Sequence, residues 1–214
     1  MRRKLVLLAA VLACTLVASV PAAQAGAVLP YNSRPYGHSY PDWMRMVGQW
    51  VLGDSSNPLF AGLEGDCGEQ IGRAFFMTPP IDVGLEFDCD VRPGTPIVLS
   101  HAGFFATEGI EGETDEELQA AAEAGFTLVS NSLTLDGAAL PLQTIDTGPY
   151  DVNSEPGSFY DAILGLGTGP IRTVLIGNVV VLHPLTPGDH VIESEVTFAG
   201  AGGAFSATYN VHVG

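Results

Sequence analysis

The most regular pattern in the chain is at its C-terminus. There Phe205, Ala207, Tyr209, Val211 and Val213 alternate with Ser206, Thr208, Asn210 and His212. Successive side chains of a strand point to opposite faces, so period two predicts an antiparallel sheet with one buried and one wetter side. Residues 190–198 form a second strand of this sheet. Ahead of it, Thr186-Pro187-Gly188-Asp189 predicts a type II turn with Pro and Gly at its two central positions. Residues 173–182 are apolar on both faces, as a central strand covered by two layers would be. Residues 74–77, 84–91 and 96–101 are shorter strand candidates separated by Pro or Gly. Residues 126–135 alternate, and Asp136-Gly137 signals a hairpin into 138–142. Residues 146–170, rich in Gly and Pro, read as loop.

Helical period is found twice. Trp43, Met46, Val47, Trp50 and Val51 recur at i, i+3, i+4, i+7 and i+8, with Pro41 and Asp42 at the start and Gly53 as the stop. This stripe reads either as an amphipathic helix docking its aromatic face on a sheet or as a sugar-stacking platform built on Trp43 and Trp50. Thr114-Asp115-Glu116-Glu117 is a capping box opening a helix that Gly125 ends, and its acidic first turn complements the helix dipole. Eight or nine strands with two short helices predict a mainly β fold, an antiparallel β-sandwich, jelly-roll-like in style. It forms a single domain over residues 26–214 with an extended lead-in at 26–40.

Residues 1–25 fit none of this. Arg2, Arg3 and Lys4 precede an uncharged apolar run from 5 to 17, Pro21 breaks it, and Ala23-Gln24-Ala25 is a small-x-small site for cleavage before Gly26. This predicts a signal peptide and a secreted, extracellular protein with no stable membrane span in its mature form, the run being too short for one. A twin-arginine route through Arg2-Arg3 and a lipoprotein site with Cys14 as the lipidated residue are the competing readings of the leader.

Composition narrows the chemistry. The eight basic residues include Arg2, Arg3 and Lys4, so residues 26–214 keep five arginines against 24 acids, a formal charge of −19. Such a field repels nucleic acid and anionic membranes and keeps copies apart, predicting a monomer. No lysine follows Lys4, which removes Schiff bases, a P-loop lysine and serine–lysine catalysis. Cys67 and Cys89 remain as an even pair in an exported chain and read as a disulfide, closing a loop of about 22 residues worth roughly 3 kcal/mol. No metal centre and no cofactor are expected: the spacings match no metal motif, GxSxG, HExxH and EF-hand loops are absent, and the glycine run 165–170 lacks the flanks of a phosphate loop.

The order of motifs also resembles a known group. A helix with Trp43 and Trp50 is followed by Asn57-Pro58-Leu59, Cys67, Gly72-Arg73-Ala74-Phe75-Phe76-Met77 and Cys89-Asp90-Val91-Arg92-Pro93-Gly94-Thr95-Pro96-Ile97. An acidic capped helix comes next, and then Pro184-Leu185-Thr186-Pro187-Gly188-Asp189-His190-Val191-Ile192. Over residues 38–213 this resembles a family of uncharacterised secreted bacterial proteins, many from actinomycetes. The resemblance implies export, the disulfide and the sandwich, and no activity. The chain departs from it at Val47-Gly48-Gln49-Trp50, where many relatives carry adjacent tryptophans.

The one constellation that could carry acid–base or metal chemistry is His101, read as the end of a strand, with Glu108, Glu111 and Glu113 in the loop beyond. The same acids fit a solvated loop leading to a helix N-terminus. His183, His190 and His212 all lie in the C-terminal sheet, where two could approach each other if their strands are adjacent; His183 before Pro184 and His190 after a tight turn read instead as caps of strand ends. With no recognisable catalytic set, the sequence predicts a non-catalytic extracellular module that binds a carbohydrate or a protein partner. A secreted hydrolase using His101 with an acidic partner and a structural envelope-associated protein are the alternatives.

Overall fold

The computed structural model describes residues 26–214 apart from Asn57. The expected leader, its expected cleavage site and Cys14 lie outside the described residues. Ser39 caps helix α1 (Tyr40–Gly48) through a capping box with Asp42, and a π turn (Gln49–Gly53) continues it. Helix α2 (Pro58–Leu63) is a short turn, and α3 (Asp115–Gly125) is capped by Thr114 and Glu117 as the sequence predicts. The strands are β1 (Gly68–Ile71), β2 (Ala74–Met77), β3 (Leu85–Val91), β4 (Ile97–Thr107), β5 (Leu128–Leu135), β6 (Ala138–Ala139), β7 (Thr144–Asp146), β8 (Tyr150–Ser154), β9 (Gly169–Leu182), β10 (Gly188–Phe198) and β11 (Ala204–Val213).

They build a sandwich. One sheet runs β1-β2-β4-β9-β7, with β8 also on β9, and the other runs β3-β11-β10-β5-β6. Both are mixed: β2 lies parallel to β4 and β3 parallel to β11, the other pairings being antiparallel. β9 is central and covered on both faces. Val180 and Leu182 pack toward the second sheet with Phe87, Leu133, Ile192 and Tyr209. Val179 and Val181 pack toward α1 with Trp43, Trp50 and Phe76. Farther along the inner face, where the second sheet gives out, Val174 and Ile176 meet Leu118 and Ala122 of α3.

Three expectations change. β4 runs six residues past His101, because a bulge between Ser100 and Ala102 lets the strand continue with its parity reversed. Before the bulge Ile97 and Leu99 face inward; after it Phe104 and Ala106 pair with Ile176 and Val174 on that face. Residues 146–170 are not all loop, since β8 and a π turn (Phe159–Ile163) lie within them. Pro187-Gly188 is a bend rather than a type II turn, because the chain crosses there from one sheet to the other and Gly188 already pairs with Val213. The Asp136-Gly137 hairpin forms with positive φ at both residues, the geometry a type I′ turn requires.

Glycine at 177 sets how near α1 comes to the sheet. A Cβ there would strike the Ala102 carbonyl and, at 2.5 Å, the Met44 methyl, so the helix can sit on β9 only over a residue without a side chain.

Candidate functional site

The free edge of β4 positions the site. β2 pairs with β4 only through Phe75–Ile97, Phe76–Val98 and Met77–Leu99. Pro79 and Pro80 then end that ladder, since proline has no N–H to donate. From Ser100 onward, β4 has no strand on that side among the described residues.

A cavity of about 250 Å³ opens at this edge. The helical layer walls one side with Val47, Val51, Leu52 and Leu59. Pro79, Pro80 and Ile81 face it, and Val196, Phe198 and Phe205 close the side of the second sheet. A second cavity of about 530 Å³ shares Gly103, Phe198 and Phe205 and continues past Phe104 and Gly125. Phe126, Phe198 and Phe205 form an edge-to-face series with centroids 6.0 Å apart at each step. The result is an apolar trough along one strand edge.

At its floor stands His101, 1% exposed. With the parity of Ile97 and Leu99, its ring points across the sandwich, just before the register shifts. Its Nε2–H donates to Asn131 Oδ1 at 2.5 Å, and its Nδ1 accepts from the Ser194 hydroxyl at 2.7 Å. Asn131 Nδ2 donates in turn to Asn178 Oδ1 at 2.9 Å, so four polar residues from both sheets form one relay. Burial pushes the imidazole pKa down to about 4, against the opposing effect of the Asn131 hydrogen bond. A neutral ring satisfies every bond in this relay.

The acidic partner expected for His101 is absent from it. Glu108 is exposed at the far end of β4, the Glu111 carboxylate accepts from Thr107 N–H at 2.8 Å, and Glu113 lies at the α3 cap, its N–H bonded to Glu117. The bulge explains this, because His101 sits mid-strand, six residues before Thr107, and not at a strand end beside the acids. Ser194–His101–Asn131 has the bonding order of a nucleophile, base and orienting group. Yet Ser194 is 0% exposed and does not line the trough, so no substrate carbonyl reaches its hydroxyl.

Trp43 and Trp50 are 1% and 4% exposed, so neither offers a face to a sugar. Their indole N–H groups donate to the Pro35 carbonyl (3.2 Å) and the Glu69 carboxylate (3.1 Å), and both rings pack on Phe76. His190 and His212 bind Asp136 and Asp189, each at 2.8 Å, at the opposite end of β10. Among the described residues no group of three or more His, Cys, Asp or Glu could hold a metal ion, and no helix is long and apolar enough to cross a membrane.

Sequence reasoning missed Asn131, Asn178 and Ser194. Asn178 and Ser194 are buried in otherwise apolar strand patterns, which was the signal available, whereas Asn131 lies in an exposed polar stretch of β5 that gave none. No family model matches the chain, and neither does a curated protein. Among solved structures, a chain in the structure of PbICP-C in complex with falcipain-2 is 12% identical. The match covers 68% of this chain and 95% of that one, with a TM-score of 0.21. A chain in the solution structure of amebosin is also 12% identical, covering 61% and 98%, with a TM-score of 0.17. At these scores neither superposition defines a shared fold.

Proposed function

We propose that this chain is an exported, non-catalytic binding module whose partner is a protein, held in the trough along the free edge of β4. The observation that carries the reading is an apolar trough open at a strand edge that is unpaired among the described residues. Large exposed apolar grooves on a monomer mark interaction sites. Burial of both tryptophans speaks against the carbohydrate version. The enclosure of Ser194, and a His101 ring that burial makes a weak base with no carboxylate bonded to it, speak against hydrolysis. Export, with cleavage before Gly26 and membership of the secreted bacterial group, is part of the proposal. The Cys67–Cys89 bridge is in keeping with an oxidising compartment.

The test places a benzophenone amino acid at Phe205 in the trough, and separately at Val191 on the outer face of β10, in protein released by the producing cells. Irradiation is expected to give one protein adduct of defined mass at 205 and none at 191. Turnover of an ester or glycoside panel that disappears in both Ser194→Ala and His101→Gln, with the fold intact, would replace this reading with the hydrolase. A trough that captures no protein in the producing culture would also refute it.

A further inference from the structure

Resting on that reading, we infer that the trough binds its partner by strand addition: an extended, continuously apolar segment with basic flanks pairs with the free edge of β4. In an antiparallel ladder the N–H and C=O of alternate residues point to opposite sides. Glu108 N–H donates to the Arg172 carbonyl, toward β9, while Thr107 N–H turns the other way onto the Glu111 carboxylate. By the same alternation Phe105 and Gly103 aim their backbone groups away from β9, into the trough, where no strand answers them among the described residues. Gly103 is exposed there. An unpaired donor–acceptor row repeating every second residue is what an extended polypeptide matches along its length and what a lipid chain leaves unmet.

The walls set the sequence of that segment. A strand added to this edge would point alternate side chains toward Val47, Val51 and Leu59 on one side and toward Phe198 and Phe205 on the other. Both sides are apolar, so the segment is apolar at consecutive positions, as in a strand buried on both faces. Small-molecule pockets span roughly 300–1,000 Å³ as one space. Here a cavity of about 250 Å³ and one of about 530 Å³ lie in series along the strand, which suits successive side chains.

Charge selects the flanks. None of the five arginines after the leader lines the trough, and 24 acids surround the domain. That field opposes edge-to-edge pairing with a second copy and attracts a cationic partner.

The experiment titrates the mature protein with a synthetic peptide, Arg-Lys-Val-Leu-Ile-Val-Lys-Arg, and reads hydrogen exchange at single amides. Binding is expected to slow exchange at Gly103 and Phe105, with Ala102 and Phe104 unchanged because they already pair with β9. Methylating alternate peptide nitrogens should weaken binding tenfold or more, and Gly103→Pro likewise, while the Gly103→Pro melting temperature stays near that of the parent. Proline is tolerated at an edge whose N–H faces outward. Phe205→Glu is the second variant and should also weaken binding tenfold. Equal affinity for the methylated peptide would overturn strand addition yet leave the protein-binding reading standing. Concentration-dependent dimerisation abolished by Gly103→Pro would assign the edge to a second copy instead. No peptide binding, with the adduct at 205 still formed, would likewise sink strand addition alone.

Discussion

Reduction of the Cys67–Cys89 bridge is expected to cost about 2–5 kcal/mol of unfolding free energy, the range typical of a native disulfide in a small secreted domain. The Cα atoms stand 5.4 Å apart and the residues are 8% and 1% exposed, so the bond lies within the core rather than on a flexible surface loop. Its placement raises its worth. Cys67 leads into β1 at the margin of one sheet, where its carbonyl accepts from Thr78 N–H at 2.8 Å. Cys89 is in β3, the edge of the other sheet, with Phe87 and Val91 on the same inward face and Phe87 stacked on Tyr209 at 5.0 Å. The bond therefore staples the two sheets at an edge where, among the described residues, β3 has only β11 as a neighbour. Unfolding in urea, followed through the buried Trp43 and Trp50, should shift to lower midpoints with reductant or in the Cys67→Ser/Cys89→Ser variant. Alkylation of the oxidised protein under denaturing conditions should find no thiol on either cysteine. A midpoint that does not move would mean that packing alone holds β3.

How much of this was legible varies by element. β10, β11 and β3 could be read directly, since each buries one face and wets the other, so period two survives in the residues. The capping box at Thr114, the Asp136-Gly137 turn and the cysteine pair are local chemistry and were equally plain. β4 was not: after Leu99 its parity reverses at His101, and a reversal of parity in sequence looks like the end of a strand. β8 escaped because only Val152 and Ser154 of its five residues are buried, too few to show a period against the surrounding glycines. The trough has no local signature at all. Its walls come from the α1 region, residues 79–81, β4, β9, β10 and β11, and the relay joins His101 to residues 30 and 93 positions away. Such sites are properties of topology.

Acidification from pH 6.5 to 4 is expected to remove about 3 kcal/mol of stability through His101 alone, a loss that His101→Gln should abolish. The sign follows from proton counts. Unfolded, the imidazole takes up a proton near 6.5; folded, burial holds it neutral down to about 4. Between those values the unfolded state binds more protons, so stability falls as pH falls, by about 1.4 kcal/mol per pH unit. The relay offers no carboxylate to offset a buried charge, because its other members are Ser194, Asn131 and Asn178. Other titrating groups act in different windows. The Asp42 carboxylate, held down by hydrogen bonds from Ser39, loses its contribution below the usual carboxylate range. His212, raised by Asp189, adds stability below 6.5 and loses it as pH rises through its elevated pKa. His190 does the same: burial lowers it, but the Asp136 bond and its neighbours outweigh that effect. Gln keeps one donor and one acceptor for Asn131 and Ser194 without titrating. Denaturant titrations at half-unit pH steps should therefore show a steep slope between 6.5 and 4 in the parent and a flatter one in the variant. Parallel slopes would mean that the charged ring finds solvent without unfolding, and that the seam beneath the trough opens more readily than its burial implies.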